Sequence, residues 1–382
     1  MEAIRQLLLD EISTGRLCGV SAGIWKDGKQ RYREDFGFTD LTREKPMPAN
    51  AIFRLYSSTK PITAAAAMLL VERGVLRLND PVHKYIDTFR EQAVLTENGL
   101  VPANRPLLLK DLLHMTSGLV YPGADEKVAA IFDTGIANAL AGNSPTTQEL
   151  CGQLGECPLH FQPGSAWCYG TSADVMGAVI EIAAQKPFSQ FLKDEIFDPL
   201  MMQDTDFYVP AEKQGRVIPV SEYLPDEDRL QPYTGNALLI LESKERPAFE
   251  SGGAGLRSTM EDYARFSMML AGGGAWNGRR ILKEETVRYM RANQLTPQQL
   301  STLWEPSGTA GYSCFMRTVL HGDTPNAWGR TGAFGWDGWA GTCALLDPKE
   351  NAVFQLFISR VGADNRALQT KFYSLAYEFI SK

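Results

Sequence analysis

A chain of 382 residues that is 44% hydrophobic can bury a large core, and its length suggests two domains or one with a sizeable insertion. A formal charge of −7, with Lys and Arg scattered along the chain, argues against a nucleic-acid partner, which needs a basic patch. Six cysteines with no C-x-x-C pair, and no His at zinc-ligand spacing from them, read as reduced thiols and predict a cytoplasmic setting.

The N-terminal "MEAIRQLLLDEIS" lacks a basic region followed by a long apolar core, so it does not read as a signal peptide. Residues 4–13 place Ile4, Leu7, Leu8 and Ile12 on one face and predict a helix. "GVSAGIWKDGKQRYREDFGF" predicts a hairpin turning at Asp27 and Gly28. "AIFRLYS" is a further extended piece, and a helix runs from about Ser58 to Arg73, closed by Gly74. Its run "AAAAMLLV" is the longest apolar stretch and is too short to span a membrane.

From about Asp80 to Leu300 the pattern is helical periodicity broken by Gly and Pro. "LLLKDLLHMTSGL" and "SADVMGAVIEIAAQ" are examples, and "RSTMEDYARFSMMLAGGG" predicts a capping box from Ser258 to Glu261. Beyond Gly311 the strand pattern returns in "GYSCFMRTVL", "AGTCALLD" and "NAVFQLFIS", with a turn at 347–351 between the last two. "NRALQTKFYSLAYEFI" closes the chain as a helix. Strands at both ends around a helical middle predict an α+β fold: an antiparallel sheet built from both termini, flanked by helices, with an inserted, mostly helical domain. The predicted division is 1–75 plus 301–382 for the sheet domain and 76–300 for the helical one, with the active site at their interface. There is no internal repeat.

Two stretches raise a chemical question. In "FRLYSSTKPITAAAAMLL", Ser57 and Lys60 are three apart at the mouth of an apolar helix, so their side chains share a face. Unpaired N–H groups there can hold an oxyanion, and the dipole and burial disfavour a charged amine, so Lys60 can serve Ser57 as a base. The alternative for this stretch is helix capping by Ser57 or Ser58 beside a solvated lysine. "GVSAG", Gly19 to Gly23, matches the G-x-S-x-G elbow, but that motif needs a sharp strand-to-helix turn. A strand continues here, so Ser21 is expected to be an ordinary strand residue.

Several segments resemble the superfamily of class C serine β-lactamases, family VIII carboxylesterases and penicillin-binding proteins. They are "FRLYSSTKPITAAAAMLLVERGVLRLNDPVHKYI", "LLLKDLLHMTSGL", "FQPGSAWCYGTSADVMGAVIE" and "GWDGWAGTCALLDPKENAVFQLF", in the family's order. The resemblance implies Ser57 as the nucleophile, Lys60 as its proton acceptor, and Tyr169 as the tyrosine that shares the base role. A lysine ammonium nearby is expected to lower the Tyr169 phenol. The resemblance further implies the backbone N–H groups of Ser57 and Trp339 as the oxyanion hole. His114 is expected to make structural hydrogen bonds.

The departures bear on substrate. Thr171 stands where the family has an amide-binding Asn. Trp336-Asp337-Gly338 stands where the lactamases have K-T-G, and it offers no cation. Arg330-Thr331-Gly332 also resembles K-T-G, but the spacing to "LLDP" favours the tryptophan motif. Trp336, Asp337, Gly338 and Thr171 are therefore the expected substrate-binding residues, and Tyr56, Trp167, Phe334 and Trp339 candidates for an apolar pocket. The expected function is a serine carboxylesterase acting on short-chain uncharged esters. A β-lactamase or D-amino-acid-specific peptidase is the alternative, and a catalytically silent binding protein a third. No metal or organic cofactor is implied, since there is no H-E-x-x-H, P-loop or dinucleotide fingerprint. The expected partner is a small-molecule ester or β-lactam, with no nucleic acid and no membrane span.

Overall fold

The computed structural model describes every residue except 242–244, 306–307 and 323–326. Helix α1 (Glu2–Ser13) buries Ile4 and Leu8 and leads into β1 (Gly19–Lys26) and β2 (Lys29–Gly37). The link between the strands is Asp27 and Gly28, with φ of 54° and 70°. Positive φ at both central residues matches the twist of the strands they join. Strand β3 (Ile52–Arg54) follows, then a 3-10 turn (Tyr56–Thr59) and α2 (Lys60–Glu72). Every α2 residue from Lys60 to Leu70 is buried. This helix therefore runs through the interior and has no solvated face along that length. Helix α3 (Ser172–Ala184) packs on it.

Strand β4 (Arg257–Thr259) pairs antiparallel with β3 and runs directly into α4 (Met260–Ala271). The cap differs from the expectation by one residue. Thr259 is the N-cap, its hydroxyl accepting the Asp262 N–H, while Ser258 bonds to Thr205 and lies in the strand. Pairing with β3 keeps Ser258 extended, so the helix cannot start there.

The C-terminal strands are β5 (Ala310–Ser313), β6 (Met316–Val319), β7 (Phe334–Asp337), β8 (Cys343–Asp347) and β9 (Ala352–Ile358), followed by α5 (Arg366–Ile380). They join the N-terminal hairpin in one antiparallel sheet of order β5-β6-β7-β8-β9-β1-β2. The expected α+β sheet drawing on both ends of the chain is thus present. The stretch Gly311–Leu320, expected as one strand, is instead a hairpin. Cys314 and Phe315 turn it, with φ of 44° and 60°.

Alternation along β1 separates two cores. Val20, Ala22 and Ile24 meet α1 and α5, while Trp25 shares the other core with Phe53, Phe357 and Tyr263. Helix α4 lies on β9, β8 and β1, although it falls within the 76–300 stretch expected to form the helical domain. Its buried face, including Tyr263, Phe266 and Met269, covers the sheet. Among the described residues no helix is long and apolar enough to cross a membrane.

Candidate active site

Ser57 sits in the 3-10 turn between β3 and α2, and several distant residues hold that turn. The Thr342 hydroxyl donates to the Leu55 carbonyl at 3.0 Å, and the Ser58 hydroxyl donates to the Thr342 carbonyl at 3.1 Å. The Tyr263 phenol donates to the Ser58 carbonyl at 2.9 Å. Gly338 approaches so closely that a Cβ there would lie 2.1 Å from the Leu55 carbonyl oxygen. Tyr56, just before the serine, has φ of 45°, a left-handed conformation that is strained for a bulky residue. Its ring is buried and meets the Trp339 ring edge-on at 5.4 Å.

Lys60 is fully buried on the first turn of α2. Its Nζ lies 3.2 Å from Ser57 Oγ, 2.9 Å from the Tyr121 hydroxyl and 2.8 Å from the Gly253 carbonyl oxygen. Burial lowers the amine from the ordinary lysine value of 10.5 to about 7, against the opposing pull of the Asp174 carboxylate. Near neutrality a large share of Lys60 is therefore the free amine, with a lone pair available to the serine proton 3.2 Å away.

Tyr169 comes from the loop before α3, and the Trp336 indole N–H donates to its hydroxyl at 3.1 Å. Its ring centroid is 4.6 Å from Lys60 Nζ. The expected lowering of this phenol does not occur. Burial drives it well above the ordinary tyrosine value and outweighs the hydrogen bonds from Ser57 and Trp336. Tyr169 is thus a protonated phenol at neutral pH. Tyr121 is likewise pushed up by burial. Sequence reasoning missed Tyr121, although it lies only two residues past the matched "LLLKDLLHMTSGL" segment.

Strand β7 brings Trp336 and Asp337 to the cleft, with Gly338 and Trp339 beyond its end. Arg317 on β6 donates to Asp337 at 3.0 Å and to Glu305 at 2.6 Å, and its guanidinium stacks 3.8 Å over the Trp328 ring. The negative charge of Asp337 is therefore countered, which the sequence reading did not foresee. The Arg330 alternative falls away: Arg330 pairs with Glu350 at 2.7 Å and does not line the cleft. Thr171 does not line it either. It is fully buried at the head of α3, and its hydroxyl has no hydrogen-bond partner among the described residues. Among the described residues neither the Ser57 nor the Trp339 N–H donates to a backbone acceptor.

The cleft over Ser57 has a volume of about 350 Å³. Trp304 and Trp339 stand in its wall 57% and 47% exposed, high values for such large rings. Of the expected pocket aromatics only Trp339 lines the cleft, while Tyr56, Trp167 and Phe334 are core. Trp304 had no motif to announce it. Ser21 is buried within β1 and donates to Asp35 at 2.5 Å, as an ordinary strand residue. His114 is a structural histidine. It bonds to the Tyr289 hydroxyl at 3.0 Å, and burial lowers it to about 4.

Comparison with known proteins matches the Beta-lactamase family model to residues 4–377. Protein Rv1367c of Mycobacterium tuberculosis (strain ATCC 25618 / H37Rv) is 32% identical over 355 residues, covering 90% of this chain and 86% of its own. Esterase EstB of Burkholderia gladioli is 33% identical over 262 residues, covering 65% of this chain and 64% of its own. Among solved structures, EstCE1, described as a hydrolase with promiscuous acyltransferase activity, superposes with a TM-score of 0.81 at 22% identity, covering 97% of each chain.

Proposed function

This chain belongs to the Beta-lactamase family and is a serine hydrolase, and on that premise we propose that it is a carboxylesterase cleaving short-chain, uncharged esters through an acyl-serine intermediate. The observation that carries this reading is the state of the cations at the cleft. Arg317 is held by Glu305 and Asp337, and Arg366 by Glu305 at 3.2 Å. With both guanidiniums committed to carboxylates, a substrate carboxylate has little to gain there. The exposed faces of Trp304 and Trp339 suit an apolar acyl or alcohol group instead. The name of Esterase EstB agrees with this reading.

In the proposed mechanism the neutral Lys60 amine takes the Ser57 proton as Oγ bonds to the ester carbonyl carbon. The carbonyl oxygen becomes an oxyanion held by the N–H groups of Ser57 and Trp339. As the C–O bond breaks, Tyr169 gives its proton to the departing alkoxide, and the Lys60 ammonium supplies the proton that restores the phenol. Water then adds to the acyl-serine with the same groups, releasing the acid and free Ser57. Acyl transfer to an alcohol in place of water is a second reading, favoured by the activity for which EstCE1 is named.

The test is to compare p-nitrophenyl butyrate with a chromogenic cephalosporin, using wild type and Ser57→Ala. Rapid ester turnover, abolished by the substitution, is expected. Ester turnover that survives Ser57→Ala would sink the assignment of the nucleophile. Efficient cephalosporin turnover with negligible ester turnover would make this a β-lactamase.

A further inference from the structure

We infer that Asp174 is a positioning residue for the Lys60 base, acting through residue Gly253. The inference rests on the reading of Lys60 as the proton acceptor and goes beyond it. Asp174 lies on the first turn of α3 and is almost fully buried. Its Oδ1 accepts the Gly253 N–H at 3.0 Å and the Ser251 hydroxyl at 2.5 Å. Two donors converging on one oxygen fit an ionised, acceptor-only carboxylate. The carbonyl of the same Gly253 faces Lys60 Nζ at 2.8 Å. One residue is thus pinned at its N–H by the carboxylate and presents its C=O to the base.

The glycines of "SGGAG" follow from that arrangement. A Cβ on Gly253 would lie 2.8 Å and 3.1 Å from the two Asp174 carboxylate oxygens. A Cβ on Gly252 would lie 2.3 Å from the Ala173 carbonyl oxygen. Only a chain without side chains here can lie flush on the head of α3 and still aim a carbonyl at α2.

Acylation puts a positive charge on Lys60 in an enclosed space. The titratable groups facing that amine are Tyr121 and Tyr169 from the flanking loops and Asp174 from α3. Burial keeps both phenols neutral. Around Asp174 itself, the Cys151 thiol is also kept neutral by burial. Asp174 is therefore the charge that favours the ammonium, and it holds the carbonyl that hydrogen-bonds it. Ser57, Lys60 and Gly253–Asp174 form a line along which the proton's new charge is stabilised, with Asp174 touching no substrate.

The experiment measures the acylation burst with p-nitrophenyl butyrate from pH 5.5 to 9 in wild type, Asp174→Asn and Gly253→Ala, with Ser57→Ala as background. Wild type is expected to show an acid limb with its midpoint at about 7. Asp174→Asn preserves shape and removes the charge, so the midpoint is expected to fall by about 1 unit. Gly253→Ala keeps every charge but displaces the carbonyl, so its limb moves the same way; it carries the test if Asp174→Asn does not fold. A limb present in wild type but unmoved or raised in the folded variants overturns the role of Asp174 alone. Absence of any limb near pH 7 in wild type overturns Lys60 as the base, and this inference with it. A merely structural role for Asp174 would change expression or melting without moving the limb.

Discussion

Replacing Lys60 with Met tests the buried amine through stability instead of rate. The folded protein lowers this amine from 10.5 to about 7. Between those values the unfolded chain binds more protons than the folded one, so this group makes wild-type stability rise with pH across that window. At pH 7 the folded state carries a penalty on the order of 4 kcal/mol, which shrinks to about 1.5 kcal/mol at pH 9.5. Methionine is similar in size and carries no such penalty. It leaves the Tyr121 hydroxyl and the Gly253 carbonyl without the lysine donor, at a cost of about 1–3 kcal/mol.

That cost does not vary with pH, so the difference between the two proteins is the informative quantity. Relative to wild type, Lys60→Met is expected to lose about 3 kcal/mol between pH 7 and pH 9.5. The assay is urea unfolding of both proteins at pH 7, 8 and 9.5, alongside the expected loss of ester turnover. A stability difference that stays constant over this range refutes a strongly lowered Lys60.

Three further outcomes follow from the site geometry. Gly338→Ala drives a Cβ to 2.1 Å from the Leu55 carbonyl oxygen, so both the melting temperature and the acylation rate should fall; unchanged values in both refute the close approach. Trp336→Phe keeps the packing but removes the hydrogen bond to Tyr169, so kcat should drop about tenfold with KM little changed. An effect on KM alone would make Trp336 a binding residue only. Trp304→Ala should raise KM for p-nitrophenyl butyrate several-fold while leaving the melting temperature within about 1 °C, since its ring is more than half exposed.

What could be read from the sequence was local or carried by an ordered set of motifs. Helical spacing put Ser57 beside Lys60 but left capping open until the other motifs joined them in order, and the Asp27-Gly28 turn announced itself by residue type. Tertiary context decided the rest. Cys314 and Phe315 have no turn chemistry, yet both side chains are fully buried and the Phe315 N–H bonds to the Leu113 carbonyl at 2.9 Å. Packing imposes a left-handed turn that propensity disfavours. Arg317 looked like any strand arginine until β6 was set beside β7, where it meets Asp337 twenty residues on. Tyr169 was found by its motif, but its protonation was misjudged, because burial cannot be read from a neighbouring cation. Tyr121, Trp304 and Asp174 join the site only because two loops and the head of α3, from three parts of the chain, converge there.

The turn bearing Ser57 is fastened by Thr342, 284 residues beyond Ser58 and 287 beyond Leu55. During synthesis the serine, its lysine and their helix emerge long before the segment that closes over them. Such long-range contacts form late and slowly. A growing chain therefore carries a complete Ser-x-x-Lys sequence well before Thr342 can fasten the turn that bears it. The geometry around Ser57 is therefore completed only when the segment that leads into β8 has joined the sheet.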